Sequence, residues 1–274
     1  MSAVAKLDLH CHTLHSGDCF VLLEEVVRIA AARGVTHLAI TDHDSCECGR
    51  QNLGKTWPIK LIFGEEVTLT NGVHLIALGI REEIRATTLS SALSEIREAG
   101  GFAIVPHPFK KGSGVFGPLR SGQTRSGDEL DAARKLVREL ADAIEVCNSK
   151  LTDEENQRAF ALARELGKPM TAGSDAHFGY DVGHAVLELE SDGSPDDWRR
   201  LLQDGRNRRV LMNRFVRQKA FDEHQTDTRV NNLFPRVRPL VPKAVRTFIK
   251  RTLHRAVYQP RVRRHEFKLE EVRF

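Results

Sequence analysis

The chain contains 274 residues, of which 41% are hydrophobic and 28% are charged. This length is sufficient to bury a sizeable core, as one large domain or as one domain with an appendage. No run approaches the roughly 20 apolar residues that a membrane helix requires, and we therefore expect no transmembrane segment. The first residues mix Lys6 and Asp8 into a strand-like run, a pattern that predicts no signal peptide.

The chain contains five cysteines, at positions 11, 19, 46, 48 and 147. An odd number of cysteines, in a chain too large to need disulfide bridges, favours reduced thiols. We therefore expect a cytoplasmic protein.

Strand-like and helical runs alternate along the first 212 residues, which favours a parallel α/β architecture. The predicted strands are residues 4–9, 35–41, 59–63, 67–69, 73–78, 102–105, 143–146, 169–172, 185–189 and 209–212. The predicted helices are residues 23–33, 89–99, 130–140, 154–166 and 198–202. An Asn-Gly pair at residues 71–72, between two strand-like runs, predicts a hairpin. Residues 110–127 are rich in Gly and Ser and predict a long loop that could serve as a lid.

Charge divides the chain into two parts. Residues 213–274 contain 16 Lys and Arg against 6 Asp and Glu, whereas residues 1–212 are net acidic. Apolar residues at near-helical spacing within residues 240–258 predict a basic helix there. We therefore interpret residues 1–212 as a catalytic domain and residues 213–274 as a basic, partly helical C-terminal extension. Such an extension could bind nucleic acid, an anionic membrane surface or the acidic flank of its own domain.

Five short clusters of polar residues each lie where a strand-like run ends. They are His10 with His12, Asp42 with His43, Glu66 with His74, His107, and Asp175 with His177. Imidazoles and carboxylates are the groups that Zn²⁺, Mn²⁺ and Fe²⁺ bind in proteins. Residues two apart on an extended strand point to the same side, so that His10 and His12 can converge on one ion. Ligands from many strand ends indicate an enzyme site at the mouth of a barrel.

Six segments resemble, in order, the motifs of the PHP (polymerase and histidinol phosphatase) family. They are KLDLHCHT with SGD at residues 6–13 and 16–18, AITDHD at 39–44, GEEV at 64–67, VHLI at 73–76, IVPHP at 104–108 and AGSDAH at 172–177. The resemblance covers residues 5–190 and implies the distorted seven-stranded (β/α) barrel of that family. Residues 213–274 match none of its motifs.

The resemblance also implies a cluster of two or three divalent metal ions, of Mn, Zn or Fe. The implied ligands are His10, His12, Glu66 and Asp175 for the first ion, Glu66, His74 and His107 for the second, and Asp18, His43 and His177 for a third. Catalytic roles follow for His10, His12, Glu66, Asp175 and His177. Asp42 and Ser174 would orient ligands, and Glu65 would be a neighbour of the bridging carboxylate.

Five further residues are candidates for substrate binding. Lys110 and Lys111 follow the motif around His107, and Arg120 lies further along the same loop, where each could bind phosphate oxygens or be an ordinary solvated charge. Asn148 follows the strand at residues 143–146 and would lie at the same mouth. His184 resembles a pocket residue that contacts substrate, although a surface histidine remains the alternative.

The expected activity is hydrolysis of a phosphomonoester, such as a nucleotide or sugar phosphate, by water ionised between the metals. The alternative is a nuclease that acts on an RNA or DNA end, such as a 5′-end-directed exonuclease, with the basic extension holding the backbone. A non-catalytic scaffold for a partner or lipid surface is disfavoured by the complete ligand set. Roughly 65 residues separate His107 from Asp175, too few for the helical insert of larger PHP phosphoesterases, which favours an open site and a longer substrate.

Overall fold

A computed structural model describes residues 3–19, 21–191, 197–204, 206–213 and 267–274. The strands are β1 (Ala3–Asp8), β2 (His37–His43), β3 (Lys60–Thr68), β4 (His74–Leu78), β5 (Phe102–Val105), β6 (Ala143–Asn148), β7 (Met170–Gly173), β8 (Ala185–Ser191), β9 (Arg206–Met212) and β10 (Glu270–Glu271). The helices are α1 (Leu23–Ala32), α2 (Glu47–Gln51), α3 (Leu89–Glu98), α4 (Gly127–Leu140), α5 (Asp153–Leu166) and α6 (Trp198–Asp204).

The strands form one mixed sheet in the order β10-β9-β8-β1-β2-β3-β4-β5-β6-β7. Pairing is parallel from β1 to β3 and from β5 to β7, and antiparallel on both sides of β4 and from β1 through β8 and β9 to β10. The α/β class is therefore confirmed, whereas the expected parallel arrangement is only partly right, because the sheet also contains antiparallel pairs. The expected count of seven strands is not confirmed, because the sheet in the described residues contains ten.

The sheet curls until the segment after β1 meets the end of β7. The Leu9 amide donates to the carbonyl of Ala172 at 3.1 Å, and the Asp175 amide donates to the carbonyl of His10 at 2.8 Å. A bridge between Cys11 and Ala176 continues this contact. The closure places residues that are about 165 positions apart in the chain side by side.

The predicted hairpin is confirmed. Strands β3 and β4 are antiparallel, the Leu69 amide donates to the carbonyl of Val73 at 2.8 Å, and Gly72 has φ 82°. Gly at this position satisfies a backbone conformation that other residues adopt only under strain.

Strand β3 is continuous, whereas the sequence indicated a break at residues 64–66. Gly64 lies within this strand, between the two predicted runs. A Cβ atom at Gly64 would overlap the carbonyl oxygen of Ala77 in β4. Glycine is therefore required here by the close approach of the neighbouring strand. The short helix α2 was not predicted.

Helices α3, α4 and α5 each begin with a capping box. In α4 the side chain of Ser126 accepts a hydrogen bond from the Glu129 amide, and the Glu129 carboxylate accepts one from the Ser126 amide. This pair starts α4 three residues before the predicted start at residue 130, because it satisfies amides that the first helical turn would otherwise leave unpaired.

Buried apolar side chains fill the space between the sheet and its helices. Helix α1 contributes Val26, Val27 and Ile29 to a buried cluster that also contains Leu38 and Ile40 of β2, and each buried side chain of this size stabilises the fold by roughly 1.5–3 kcal/mol. None of the helices in the described ranges is long and apolar enough to cross a membrane.

The last eight residues, 267–274, pack against the sheet. Strand β10 pairs with β9, and the ring of Phe274 stacks on Phe160 of α5 with centroids 4.3 Å apart. The Arg33 guanidinium lies over the ring of Phe267 at 4.5 Å. The predicted helix at residues 240–258 lies outside the described residues, and the division of the chain at residue 213 stays a prediction.

We expect Gly64→Ala to destabilise the protein by roughly 1–3 kcal/mol or more, because the added methyl group would push β4 away from β3. Gly127→Ala is the matched control, since a Cβ at Gly127 meets no atom within 4 Å. The measurement is the denaturant midpoint of both variants. Equal midpoints for Gly64→Ala and the wild type would contradict the assigned strand pairing.

Candidate metal centre

The polar side chains predicted as ligands converge at one edge of the sheet. His43 ends β2, Glu66 lies near the end of β3, and His107 follows β5. These strands run in a direction that places their carboxyl ends together. His74 reaches the same edge because β4 is antiparallel and begins there.

The Glu66 carboxylate lies at the centre of this group and is 1% exposed. Its Oε1 atom lies 2.8 Å from His74 Nδ1 and 2.9 Å from His107 Nε2. Its Oε2 atom lies 3.2 Å from Nε2 of His10, 3.3 Å from Nε2 of His12 and 3.3 Å from Nδ1 of His43. Each oxygen thus faces a different set of imidazoles, as a bridging carboxylate requires.

Asp175 forms a second centre beside the first. Its Oδ1 atom lies 3.6 Å from His10 Nε2, 3.5 Å from His12 Nε2 and 3.5 Å from His177 Nδ1. Its Oδ2 atom accepts hydrogen bonds from Lys110 Nζ at 2.9 Å and from Asn148 Nδ2 at 3.3 Å. One oxygen therefore faces the imidazoles and the other is held by neutral and cationic donors.

Asp18 completes the group at its outer side. Its Oδ2 atom lies 3.2 Å from His177 Nε2 and 3.5 Å from His43 Nε2. The Asp18 side chain is 52% exposed, whereas those of Glu66 and Asp175 are buried. All nine residues predicted as ligands therefore lie in one cluster, which is buried at one end and open at the other.

The donor atoms suit divalent metal ions. Four sets of three residues each offer ligand atoms within 4.8 Å of one another: His12, His43 and His177; His10, Glu66 and His107; His10, His12 and Asp175; and His43, Glu66 and His74. Nε2 of His10, Nε2 of His12 and Nδ1 of His43 are buried and form no hydrogen bond with described residues. Buried polar atoms are normally satisfied, and coordination to a metal would satisfy these.

The electrostatic environment keeps the carboxylates ionised. Burial alone would raise the pKa of Glu66, but nearby histidines, His10 foremost, hold this pKa well below its usual value. Burial likewise opposes ionisation of Asp175, and Lys110 together with His10 lowers its pKa well below the usual range. Burial, together with the positive charge of Lys110, lowers the pKa of His107.

Two of the cluster residues adopt strained backbone conformations. His107 has φ 29° and Asp175 has φ 50°, and neither is glycine. Such conformations persist only where the surroundings hold them, and they concentrate at functional sites.

The five candidates for substrate binding divide into three groups. Lys110 and Asn148 contact Asp175 directly. Lys111 and Arg120 are exposed, and neither forms an ion pair or side-chain hydrogen bond with the nine cluster residues. His184 is buried, and its ring lies beside that of Phe267, with centroids 5.9 Å apart.

The residues expected to orient ligands act on the surrounding backbone. The Asp42 carboxylate accepts hydrogen bonds from the Thr13 and Ser16 amides at 2.6 and 3.1 Å. Ser174 Oγ donates to the carbonyl of His10 at 3.3 Å. Glu65 points away from the cluster, since it alternates with Glu66 along β3, and its Oε1 accepts a hydrogen bond from the Ile84 amide.

Two buried carboxylates were missed. Glu145 in β6 accepts a hydrogen bond from His10 Nδ1 at 3.1 Å, and Asp8 in β1 accepts hydrogen bonds from the Ser174 and Gly183 amides, each at 2.9 Å. Burial raises the pKa of Asp8 to about 6. The available signal was a charged residue within an otherwise apolar strand, which is rare unless the charge is paired.

Fold and site together define a metal-dependent phosphoesterase, as the sequence indicated. The sequence profile of the PHP domain family matches residues 8–107, and that of the PHP-associated family matches residues 153–209. An uncharacterized protein of Methanocaldococcus jannaschii is 31% identical over 117 residues, which cover 38% of this chain and 68% of that protein. The chain therefore belongs to the PHP family.

Other relatives carry more specific names. A probable phosphatase of Vibrio parahaemolyticus is 28% identical over 210 residues, covering 68% of this chain and 82% of that protein. A two-domain protein of Bacteroides vulgatus, containing a predicted PHP-like metal-dependent phosphoesterase, has a TM-score of 0.56 at 19% identity and covers 76% of this chain and 65% of that chain. A further similar structure is that of Endonuclease Q in complex with a 27-mer duplex that has an abasic lesion at the active site. Its TM-score is 0.53 at 14% identity, and the match covers 75% of this chain and 58% of that chain.

We expect Glu66→Gln to lose most of the bound metal, because the amide supplies one neutral oxygen where two anionic oxygens face five imidazoles. Glu65→Gln is the matched control, since Glu65 is buried in the same strand and faces the other way. Elemental analysis of both variants measures the difference. Equal metal content would show that Glu66 does not hold the ions.

Proposed function

We propose that the protein hydrolyses phosphomonoesters, such as nucleotide or sugar phosphates, with two or three Mn, Zn or Fe ions bound by the nine-residue cluster. The single observation that carries this proposal is the arrangement of five imidazoles around the two oxygens of Glu66, next to an Asp175 that also contacts a lysine. The name of the relative from Vibrio parahaemolyticus, a probable phosphatase, supports the same substrate class.

The nine side chains divide among the ions as the family resemblance implies. His10, His12, Glu66 and Asp175 would hold the first ion, Glu66 would bridge to a second held by His74 and His107, and Asp18, His43 and His177 would hold a third. When bound, such ions lower the pKa of coordinated water to about 7 and polarise phosphate oxygens. His10, His12, Glu66, Asp175 and His177 are the proposed catalytic residues.

Lys110 is the residue best placed to bind the phosphate group. Its ammonium lies 2.9 Å from Asp175 Oδ2, on the side of that carboxylate that faces away from the imidazoles. The side chain is 35% exposed, so that the ammonium can turn toward an incoming anion. A phosphate oxygen that does not react would accept a hydrogen bond from Nζ and stay oriented during hydrolysis.

Substrate enters from the open end of the cluster. The His10 and His12 side chains are fully buried, whereas those of His43 and His177 are 22% and 19% exposed. The inner side chains His10 and His12 are therefore closed to solvent. The reacting phosphate therefore approaches along the side formed by Asp18, His43 and His177.

We expect Lys110→Ala to lower kcat/KM for a phosphomonoester by roughly 10- to 100-fold, the equivalent of about 1.5–3 kcal/mol for a hydrogen bond to a charged group. Lys111→Ala is the matched control, because Lys111 is the next residue, carries the same charge and does not contact the cluster. Steady-state phosphate release measures both. Equal losses would show that the loop acts only through its overall charge.

The second candidate is a nuclease that uses the same cluster. Its support is the fold that the chain shares with Endonuclease Q, together with the basic residues of positions 213–274. In this alternative the cluster cleaves the terminal phosphodiester of RNA or DNA, and the basic extension binds the backbone. Lys110 would then contact the scissile phosphate.

A substrate panel separates the two candidates. Chelation should abolish all hydrolysis and Mn²⁺ should restore it, with phosphate released from nucleotide and sugar monophosphates if the first proposal is right. Faster cleavage of a 5′-phosphorylated oligonucleotide, with no release from the small esters, would favour the nuclease. Full activity in protein that retains no metal after chelation would contradict both.

The basic extension supplies the control for the nuclease alternative. Replacement of Lys243, Arg246, Lys250 and Arg251 by Gln should then lower the salt dependence of oligonucleotide binding, because each neutralised phosphate contributes roughly −0.7 to −0.9 to the slope of log K against the logarithm of the salt concentration. These four substitutions leave β10 in place, unlike a truncation after Asn213. Cleavage of a small ester should be unchanged in this variant.

A further inference from the structure

Glu145 is a buried carboxylate that contacts His10 and His107 of the cluster and the neighbouring Asn148. It lies in β6 with 2% of its surface exposed. Its Oε1 atom accepts from His10 Nδ1 at 3.1 Å, and its Oε2 atom accepts from the His107 amide at 2.7 Å and from Asn148 Nδ2 at 3.0 Å. We propose that Glu145 is the positioning residue that fixes the inner metal ligands, an inference that rests on the proposed metal cluster.

The contact with His10 determines which ring nitrogen is available to a metal. A proton on Nδ1 is required to donate to Glu145, and this leaves the lone pair on Nε2. Nε2 lies 3.2 Å from Glu66 Oε2 and 3.6 Å from Asp175 Oδ1, and it forms no hydrogen bond with described residues. Glu145 therefore orients His10 Nε2 toward the two carboxylates. The hydrogen bond also makes the imidazole more basic and hence a stronger metal ligand.

The contact with His107 holds a strained backbone. With φ 29°, His107 adopts a conformation that a residue with a side chain rarely occupies. Its amide donates to Glu145 Oε2 at 2.7 Å, and in the same conformation its Nε2 lies 2.9 Å from Glu66 Oε1. The hydrogen bond to Glu145 thus stabilises the backbone that directs His107 toward Glu66.

The contact with Asn148 extends the same arrangement to Asp175. Residues three apart on a regular strand point to opposite faces, but the pairing of β6 with β7 shifts register between Glu145 and Cys147. Glu145 and Asn148 therefore point to the same side. Asn148 Nδ2 donates both to Glu145 Oε2 at 3.0 Å and to Asp175 Oδ2 at 3.3 Å.

The neighbouring strand leaves space for this carboxylate. A Cβ atom at Gly173 in β7 would overlap the Cβ of His10 and would lie 2.6 Å from Glu145 Oε1. Glycine at this position is therefore needed for Glu145 and His10 to approach each other.

Only a carboxylate satisfies this geometry. Three N–H donors converge on two acceptor oxygens, and the negative charge of the carboxylate attracts the partly positive hydrogen of each donor. In Glu145→Gln one oxygen becomes an amide NH₂, which would face either His10 Nδ1–H or the His107 and Asn148 donors. At least one ligand would then lose its orientation.

The test measures metal binding without substrate. Metal-free wild type, Glu145→Gln and Glu188→Gln are titrated with Mn²⁺ against a competing chelator, and the EPR spectrum of each loaded protein is recorded. Glu188 is the matched control, since it is a buried glutamate in β8 that pairs with Lys6 and Arg209. We expect Glu145→Gln to bind Mn²⁺ roughly 10- to 100-fold more weakly with an altered spectrum, and Glu188→Gln to match the wild type.

The outcomes separate this inference from the proposed function. If the wild type binds no Mn²⁺, the metal cluster itself is wrong. If the wild type binds Mn²⁺ and Glu145→Gln shows the same affinity and spectrum, only the role of Glu145 is wrong. Should Glu145→Gln not fold, Glu145→Asp, which keeps the charge but withdraws both oxygens by one methylene, is measured instead. Weaker binding with an altered spectrum then supports the inference, and wild-type behaviour overturns it.

Discussion

The constraint on which this structure depends is the burial of the Glu66 carboxylate. A charge removed from water is costly unless it is paired, and the two oxygens of Glu66 lie within 3.3 Å of five imidazole nitrogens, so that cations bound among these groups would pair with the carboxylate. The imidazoles come from the segment after β1, from β2, from β4 and from the segment after β5. The strand ends must therefore lie within a few ångströms of one another. The same arrangement suits cations, because the ring nitrogens of His10 and His12 that face Glu66 have no hydrogen-bond partner among the described residues.

Closure of the sheet is what brings the two halves of the cluster together. The backbone hydrogen bonds Leu9–Ala172 and Asp175–His10 align the segment after β1 with the segment after β7. Asp8 strengthens this seam, because its carboxylate accepts hydrogen bonds from the Ser174 and Gly183 amides. Fold and site are thus coupled, since a change that opens the seam also separates His10 from Asp175. The strained backbone of Asp175 is consistent with a site stabilised by its surroundings.

The sequence motifs and the family resemblance together predicted which side chains lie in the cluster, and several of these side chains stand directly after a recognisable apolar run, as His10 and His107 do. They did not predict Glu145, because its role arises from a register shift between β6 and β7 that only pairing reveals. The continuity of β3 through Gly64 was missed for a similar reason, because the close approach of β4 that requires glycine there depends on strand pairing. The loop lysines illustrate the same limit, since Lys110 and Lys111 are alike in sequence and only the backbone path directs Lys110 to Asp175. Local sequence patterns predict where strands end and which polar residues follow them, whereas contacts between distant strands depend on packing.

We propose that the nine side chains of the cluster, from His10 to His177, bind divalent ions together at one edge of the sheet. The most direct test is the anomalous scattering of crystals grown with Mn²⁺, recorded on both sides of the manganese absorption edge. We expect two or three anomalous peaks, one of them between Glu66, Asp175, His10 and His12. Crystals of metal-loaded protein with no peak at this position, or with peaks only elsewhere, would contradict it.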